Sequence, residues 1–119
     1  MQSQPQLRDM TPTEIHNALL RHEIVLIDVR EPAEYMAERI HGALLSPLST
    51  FDPAVLPVGG RPVVLHCGSG KRSAVAVEKC IAAGVPVTAH MAGGIMAWKH
   101  ARLPTVTIDA GTGSVVDRR

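Results

Sequence analysis

Aromatic residues are nearly absent: one Trp, one Tyr and one Phe make up 3% of the 119 residues. The core must therefore be aliphatic, and stacking platforms for nucleic-acid bases are scarce. Charge of one sign is lacking as well. Twelve Lys and Arg against eleven Asp and Glu give a formal net charge of +1, which excludes a broad basic face for nucleic acid or anionic lipid. Any attraction for anions has to be local. Two cysteines, Cys67 and Cys80, are too few for a disulfide framework or a Cys-rich zinc site and suggest a reducing, cytoplasmic setting. No apolar run approaches the roughly 18 residues that span a bilayer, and residues 1–10 carry polar and charged residues where a signal peptide has its apolar core. Six histidines are present, but none lies near a Cys or carboxylate at ligand spacing, so no metal is expected. What remains is an ordinary globular composition, 45% hydrophobic and 19% charged, sized for one domain.

The apolar pattern divides the chain into a lead-in at residues 1–10, a single domain at 11–104 and a tail at 105–119 that could also dock as a strand or form an oligomer contact. Thr11, Pro12 and Glu14 form a capping-box start for a first helix with Ile15, Ala18 and Leu19 on one face. A β-branched run at 24–27 reads as a buried parallel strand ending in Asp28-Val29-Arg30, and Glu31-Pro32 opens a short helix through about Arg39. A brief strand at 43–45, a proline-punctuated stretch, a strand at 63–66, a helix at 73–83 closed by Gly84, a strand at 85–89 and a helix at 95–101 complete the pattern. Strands alternating with short helices predict an α/β layer structure with a parallel sheet.

The run His66-Cys67-Gly68-Ser69-Gly70-Lys71-Arg72-Ser73 then falls between a strand and a helix, on the side where open α/β sheets bind ligands. Gly68 and Gly70 free the backbone so that successive N–H groups can converge on one point, with the positive end of the helix behind and two cations beside it. Such a setting lowers a thiol pKa, and the thiolate is the nucleophile. Cys67 is therefore the expected catalytic residue, in a shallow cradle that admits one further sulfur atom. His66 should point to the opposite face of its strand and cannot form a Cys–His dyad. Cys80 should pack inward as a small apolar group, with a resolving-thiol role as the lesser reading. Core filling is expected of Met96 and Trp98, a place at the pocket mouth of Met91, and a close backbone approach to the loop at Gly93 and Gly94.

In this arrangement the runs LIDVREPAEY (26–35), RIHGALLSPL (39–48), HCGSGKRSA (66–74) and MAGGIMAWKHARLP (91–104) resemble the rhodanese-homology family of sulfurtransferases in order and spacing. Departures at Arg39, His41 and Leu45 lie away from the nucleophile. The resemblance implies a rhodanese fold, a central parallel sheet with helices on both faces. It implies Cys67 as the persulfide-forming nucleophile, Gly68, Ser69, Gly70, Lys71, Arg72 and Ser73 as the substrate-binding loop, and Asp28 and Arg30 as a structural pair. No metal or organic cofactor is implied.

The expected reaction is sulfur transfer from thiosulfate or a similar anionic donor to cyanide or a thiol, with a thiol-bearing protein as another acceptor and neither nucleic acid nor membrane as partner. A 3-mercaptopyruvate donor stays open, because the Gly68-Ser69-Gly70 segment also suits it, although Lys71 and Arg72 favour the inorganic anion. A Cys-Arg phosphatase or arsenate reductase is the rival chemistry, and the four residues between Cys67 and Arg72 make too tight a loop for it. A non-enzymatic persulfide carrier or protein-binding module remains the alternative role, since the same thiolate serves both.

Overall fold

The computed structural model describes residues 5–109 and 111–118. Strands β1 (Arg8–Met10), β2 (Val25–Asp28), β4 (Leu44–Leu45), β5 (Val63–His66) and β6 (Ala89–Met91) form one parallel sheet in the order β1-β6-β5-β2-β4. Helices α1 (Pro12–Leu20) and α4 (Gly94–His100) cover one face, and α3 (Lys71–Ala82) covers the other with two short 3₁₀ turns. Alternation along the central strands sorts the core. Leu26 and Val64 face α1 and α4, whereas Ile27, Val63 and Leu65 face α3, as a period of two requires. The architecture is the α/β fold anticipated, with a central parallel sheet and helices on both faces.

α1 begins as its capping signature predicts. The Glu14 amide donates to Thr11 Oγ1 at 3.1 Å and the Thr11 amide to Glu14 Oε1 at 3.0 Å, a cap worth about 1 kcal/mol. The aliphatic core is pinned by a single large aromatic, Trp98, which is buried and donates its indole N–H to the Pro104 carbonyl at 2.8 Å.

Several local expectations differ. Arg8–Met10 does not dangle as a lead-in but pairs with β6, placing Asp9 directly opposite His90. The last parallel strand is Ala89–Met91 rather than 85–89. Pro86 offers no N–H to a ladder, and the Val87 amide instead closes a tight turn onto the Val85 carbonyl at 2.7 Å. Helix α2 (Pro32–Ala37) stops early because residues 38–39 form β3 (Glu38–Arg39). That strand pairs antiparallel with β7 (Thr105–Ile108), which pairs with β8 (Val115–Arg118), so most of the expected tail is a second small sheet. Helix α3 starts two residues earlier than expected, with Gly70 at its N-cap in the left-handed region, φ 102°. Its buried face is Ser73, Ala76, Val77 and Cys80, while Ala74 and Ile81 are only partly covered. Met91 lies sealed in the core, not at a pocket mouth, and Met96 points to solvent on the outer side of α4. Among the described residues no helix is long and apolar enough to cross a membrane.

Candidate active site

β5 is the middle strand of the parallel sheet, and Cys67 follows its last residue at the carboxyl end. The loop that comes next turns its amides toward the sulfur. The Gly70 N–H donates to Cys67 Sγ at 3.0 Å and the Ser73 N–H at 3.3 Å, while the thiol lies 3.5 Å from Ser73 Oγ as its donor. The converging amides are those expected of the loop; the openness is not. Cys67 is wholly buried, so the loop closes over the sulfur instead of leaving an open bowl.

Why the amides face inward is visible in what holds the carbonyls. The Cys67 carbonyl accepts from the Ile95 N–H at 2.8 Å and the Gly68 carbonyl from the Met96 N–H at 3.1 Å, so the start of α4 draws both oxygens away from Sγ. This needs backbone against backbone. Gly94, at φ 61°, lies so close that a methyl there would overlap the Cys67 and Gly68 carbonyl groups. The close approach read from Gly93 and Gly94 is thus real.

Two opposed effects act on the thiol. Burial pushes its pKa up, and the hydrogen bonds from the Ser73 hydroxyl and from the Ser73, Gly70 and Ser69 amides outweigh it, leaving the value below that of an ordinary cysteine. Cys80 shows burial acting alone. Packed among Val77, Val87 and other aliphatics with no such donors, its thiol is pushed up to about 11. It stands seven residues beyond Ser73, about 10 Å along the helix at the α-helical rise, which is too far to bridge to Cys67 without unwinding α3.

The two expected cations part company. Lys71 is exposed, and no ion pair among the described residues engages it. Arg72 binds Glu34 of α2 through two parallel bonds of 2.7 and 2.9 Å, and its Nη2 lies 3.1 Å from where a side chain on Gly68 would begin. The paired guanidinium holds the Glu34 carboxyl down to about 2. Arg72 thus sits at the loop but shares its charge with Glu34, a partner 38 positions away in the chain.

Below the loop, Asp28 accepts from the Arg30 amide at 2.9 Å and from its guanidinium at 2.8–3.1 Å, and Arg30 also donates to the Glu38 carbonyl at 2.6 Å. Both side chains are buried, so the pair ties the ends of β2 and α2 together. Asp28→Ala would strand a buried guanidinium. A loss of about 3–5 kcal/mol in urea denaturation is expected, and Asp28→Asn should lose stability as well, because its amide keeps one acceptor oxygen but leaves the guanidinium charge unpaired and turns a donor toward it. His66 lies on the Asp28 side, 3.5 Å from its Oδ2, with Nδ1 against the Cys67 carbonyl. Burial lowers its pKa, so it stays neutral, and its contacts run to Asp28 and backbone, as expected for a residue that is no partner to the sulfur.

Sequence reading missed His90 and Asp9. His90 Nδ1 is 2.7 Å from Ser73 Oγ and its Nε2 is 2.8 Å from Asp9 Oδ1. No local pattern could have joined them, because Asp9 lies in a stretch without apolar periodicity and β6 is displaced from its apparent position.

Comparison with known proteins agrees with this geometry. Residues 11–101 match the Rhodanese-like domain family. The chain is 40% identical over 98 residues to an uncharacterized protein of Synechocystis, covering 82% of this chain and 55% of that one. It is 33% identical over 85 residues to a sulfurtransferase of Allochromatium vinosum, covering 71% of this chain and 79% of the relative. It spans only 26% of the probable adenylyltransferase/sulfurtransferase MoeZ of Mycobacterium tuberculosis, at 36% identity over 83% of this chain. Among solved structures, the Rhodanese-like domain of an Anabaena protein superposes with a TM-score of 0.72 over 98% of this chain and 90% of that one, at 23% identity, a likeness of fold. The thiosulfate sulfurtransferase of Pseudomonas aeruginosa superposes with a TM-score of 0.70 at 31% identity, covering 88% of this chain and 20% of that one. A strand-end cysteine under a glycine loop, on this sheet and with this match along the chain, leads to one conclusion: the chain belongs to the rhodanese-like domain family.

Proposed function

We propose that this chain is a sulfurtransferase that moves a sulfane sulfur from thiosulfate, or a similar anionic donor, to cyanide or a thiol through a persulfide on Cys67. The observation that carries the reading is the pair of loop amides aimed at Cys67 Sγ. In the first half-reaction the Cys67 thiolate attacks the outer sulfur of thiosulfate. A new S–S bond forms, the S–S bond of the donor breaks, and its electron pair leaves on sulfite. In the second half the acceptor attacks the outer persulfide sulfur, and the electrons of that S–S bond return to Cys67 as thiolate. The atoms and electrons balance with no further reagent.

Preorganised dipoles would stabilise both charge states, the thiolate before attack and the terminal sulfur after it. Because Arg72 is shared with Glu34, the exposed Lys71 is the stronger attraction for a dianion. The glycine-rich segment between Cys67 and Lys71 has only Ser69 as a side chain, which lets the loop lift to admit the donor. A nucleophilic thiolate of this kind suits a reducing compartment such as the cytoplasm.

The second reading is a persulfide carrier, favoured by the similarity to a quarter of a longer adenylyltransferase/sulfurtransferase. Both readings require the same first step. Treatment with thiosulfate should raise the intact mass by one sulfur atom, an increase that Cys67→Ala removes. Steady thiocyanate production from thiosulfate and cyanide supports the enzyme. Persulfide that passes to protein thiols without cyanide turnover supports the carrier, and no added sulfur overturns both.

A further inference from the structure

Cys67 is sealed from water, yet becoming a nucleophile requires it to lose a proton. The hydrogen bonds beyond the sulfur supply a route. Cys67 S–H points to Ser73 Oγ at 3.5 Å, Ser73 Oγ meets His90 Nδ1 at 2.7 Å, and His90 Nε2 meets Asp9 Oδ1 at 2.8 Å. His90 is 5% exposed, whereas the Asp9 side chain is 68% exposed, so the series runs from the closed site to solvent.

The chemistry of the last member fixes the direction of every proton. A carboxylate can only accept, so Nε2 carries hydrogen, and in the singly protonated form of the ring Nδ1 is the acceptor. The Ser73 hydroxyl must then donate to Nδ1. Its other contact, the Gly70 carbonyl at 3.3 Å, is the longer of the two. That orientation leaves the Ser73 lone pairs facing the thiol. Ser73 lies on a helix face otherwise made of Ala76, Val77 and Cys80, and a buried hydroxyl and a buried imidazole there satisfy each other.

We propose that Ser73, His90 and Asp9 form a proton relay for Cys67, with Ser73 touching the reacting atom and His90 and Asp9 acting as positioning residues. The inference deepens the sulfur-transfer reading and rests on it only for its purpose. In one step the thiol proton passes to Ser73 Oγ while the Ser73 proton passes to His90 Nδ1, giving a thiolate and an imidazolium flanked by the Asp9 carboxylate. The hydroxyl then donates back to the thiolate it created. No atom is lost and no oxidation occurs.

Few charged groups face this pair from the elements packed around it. Asp9 approaches His90 from β1, Leu65 is its uncharged neighbour on β5, and Ser73 and the Gly70 backbone cover it from α3 and the loop. Arg72, held by Glu34, acts on the sulfur from the first turn of α3, and the neutral His66 meets Asp28 and the Cys67 carbonyl rather than the sulfur. Ser73 thus links Cys67 to His90 directly.

The test is an ultraviolet titration of the thiolate on the full chain without any sulfur donor, using Cys67→Ala as the blank. Cys80, with its pKa pushed up to about 11, stays silent through the neutral range. His90→Gln should move the apparent midpoint up by about one pH unit, and Asp9→Asn by about half as much, because the imidazolium that faces the thiolate is lost or weakened. Persulfide formation at about pH 6 should slow about tenfold in His90→Gln and recover as the pH is raised. A merely structural role would lower the melting temperature and leave the midpoint in place. A midpoint within about 0.2 units of wild type in both variants overturns the relay. Should His90→Gln fail to fold, Asp9→Asn decides alone, its side chain being mostly solvated. Because the titration needs no donor, a failed relay and a failed sulfur-transfer reading give different results.

Discussion

Cys67→Ser is expected to abolish persulfide formation and thiocyanate production, a loss of at least about a thousandfold, while leaving the fold intact. The oxygen nearly matches the sulfur in place and can keep the Gly70 and Ser73 amides as donors. What it cannot do is ionise, since a hydroxyl lies far above the range to which three amides and a neighbouring hydroxyl can bring a thiol. Nor could it hold a sulfane sulfur if it did. Intact mass after thiosulfate treatment reads the chemical effect, and thermal melting reads the structural one. Full loss of sulfur uptake with a melting temperature within a few degrees of wild type is the expected pair. Retained uptake would show that another group takes the sulfur.

Gly94→Ala is expected to damage both stability and site. The residue combines a left-handed φ of 61° with backbone contact to the Cys67 and Gly68 carbonyl groups, so a methyl meets strain and overlap together. Neither neighbour is a flexible side chain that could swing away. Relief requires α4 to move off the loop, which breaks the Ile95 and Met96 bonds to those carbonyls. A cost of about 4 kcal/mol or more is expected, seen as a fall of roughly 10–20 °C in melting temperature or as failure to accumulate folded protein. Any folded fraction should bind sulfur poorly, because carbonyls released by α4 can turn toward Sγ. Gly60→Ala is the matching control. Its added methyl meets nothing within 4 Å, and its stability should stay within about 0.5 kcal/mol of wild type. Equal effects at the two positions would refute the close approach as the cause.

Much of this site is local in origin and was therefore legible in residues 66–73. A strand opening on two valines, a cysteine, two glycines and a helix succeed one another directly, and the amides of Gly70 and Ser73 reach the sulfur because they lie only three and six residues beyond it. The same holds for the α1 capping box and for the Asp28–Arg30 pair, whose members lie two residues apart. Local rules failed where a contact crossed the chain. Arg72 looked free until α2 brought Glu34, 38 positions away, against it. Met91 and Met96 exchanged their expected surroundings once β6 formed beyond Pro86, at Ala89–Met91, and carried Met91 into the sheet.

Amino-acid order by itself thus determined the α/β pattern, the strand-end cysteine and the loop around it, because hydrogen bonds and periodicity within a few residues are enough to dictate them. Tertiary structure alone decided that the sulfur is closed off from water, that α4 holds the loop carbonyls outward, and that Asp9 stands opposite His90 across a strand pair formed 81 residues apart. Those facts depend on strand neighbours and helix packing. Such choices are settled by burial of the whole core, and no short segment carries them.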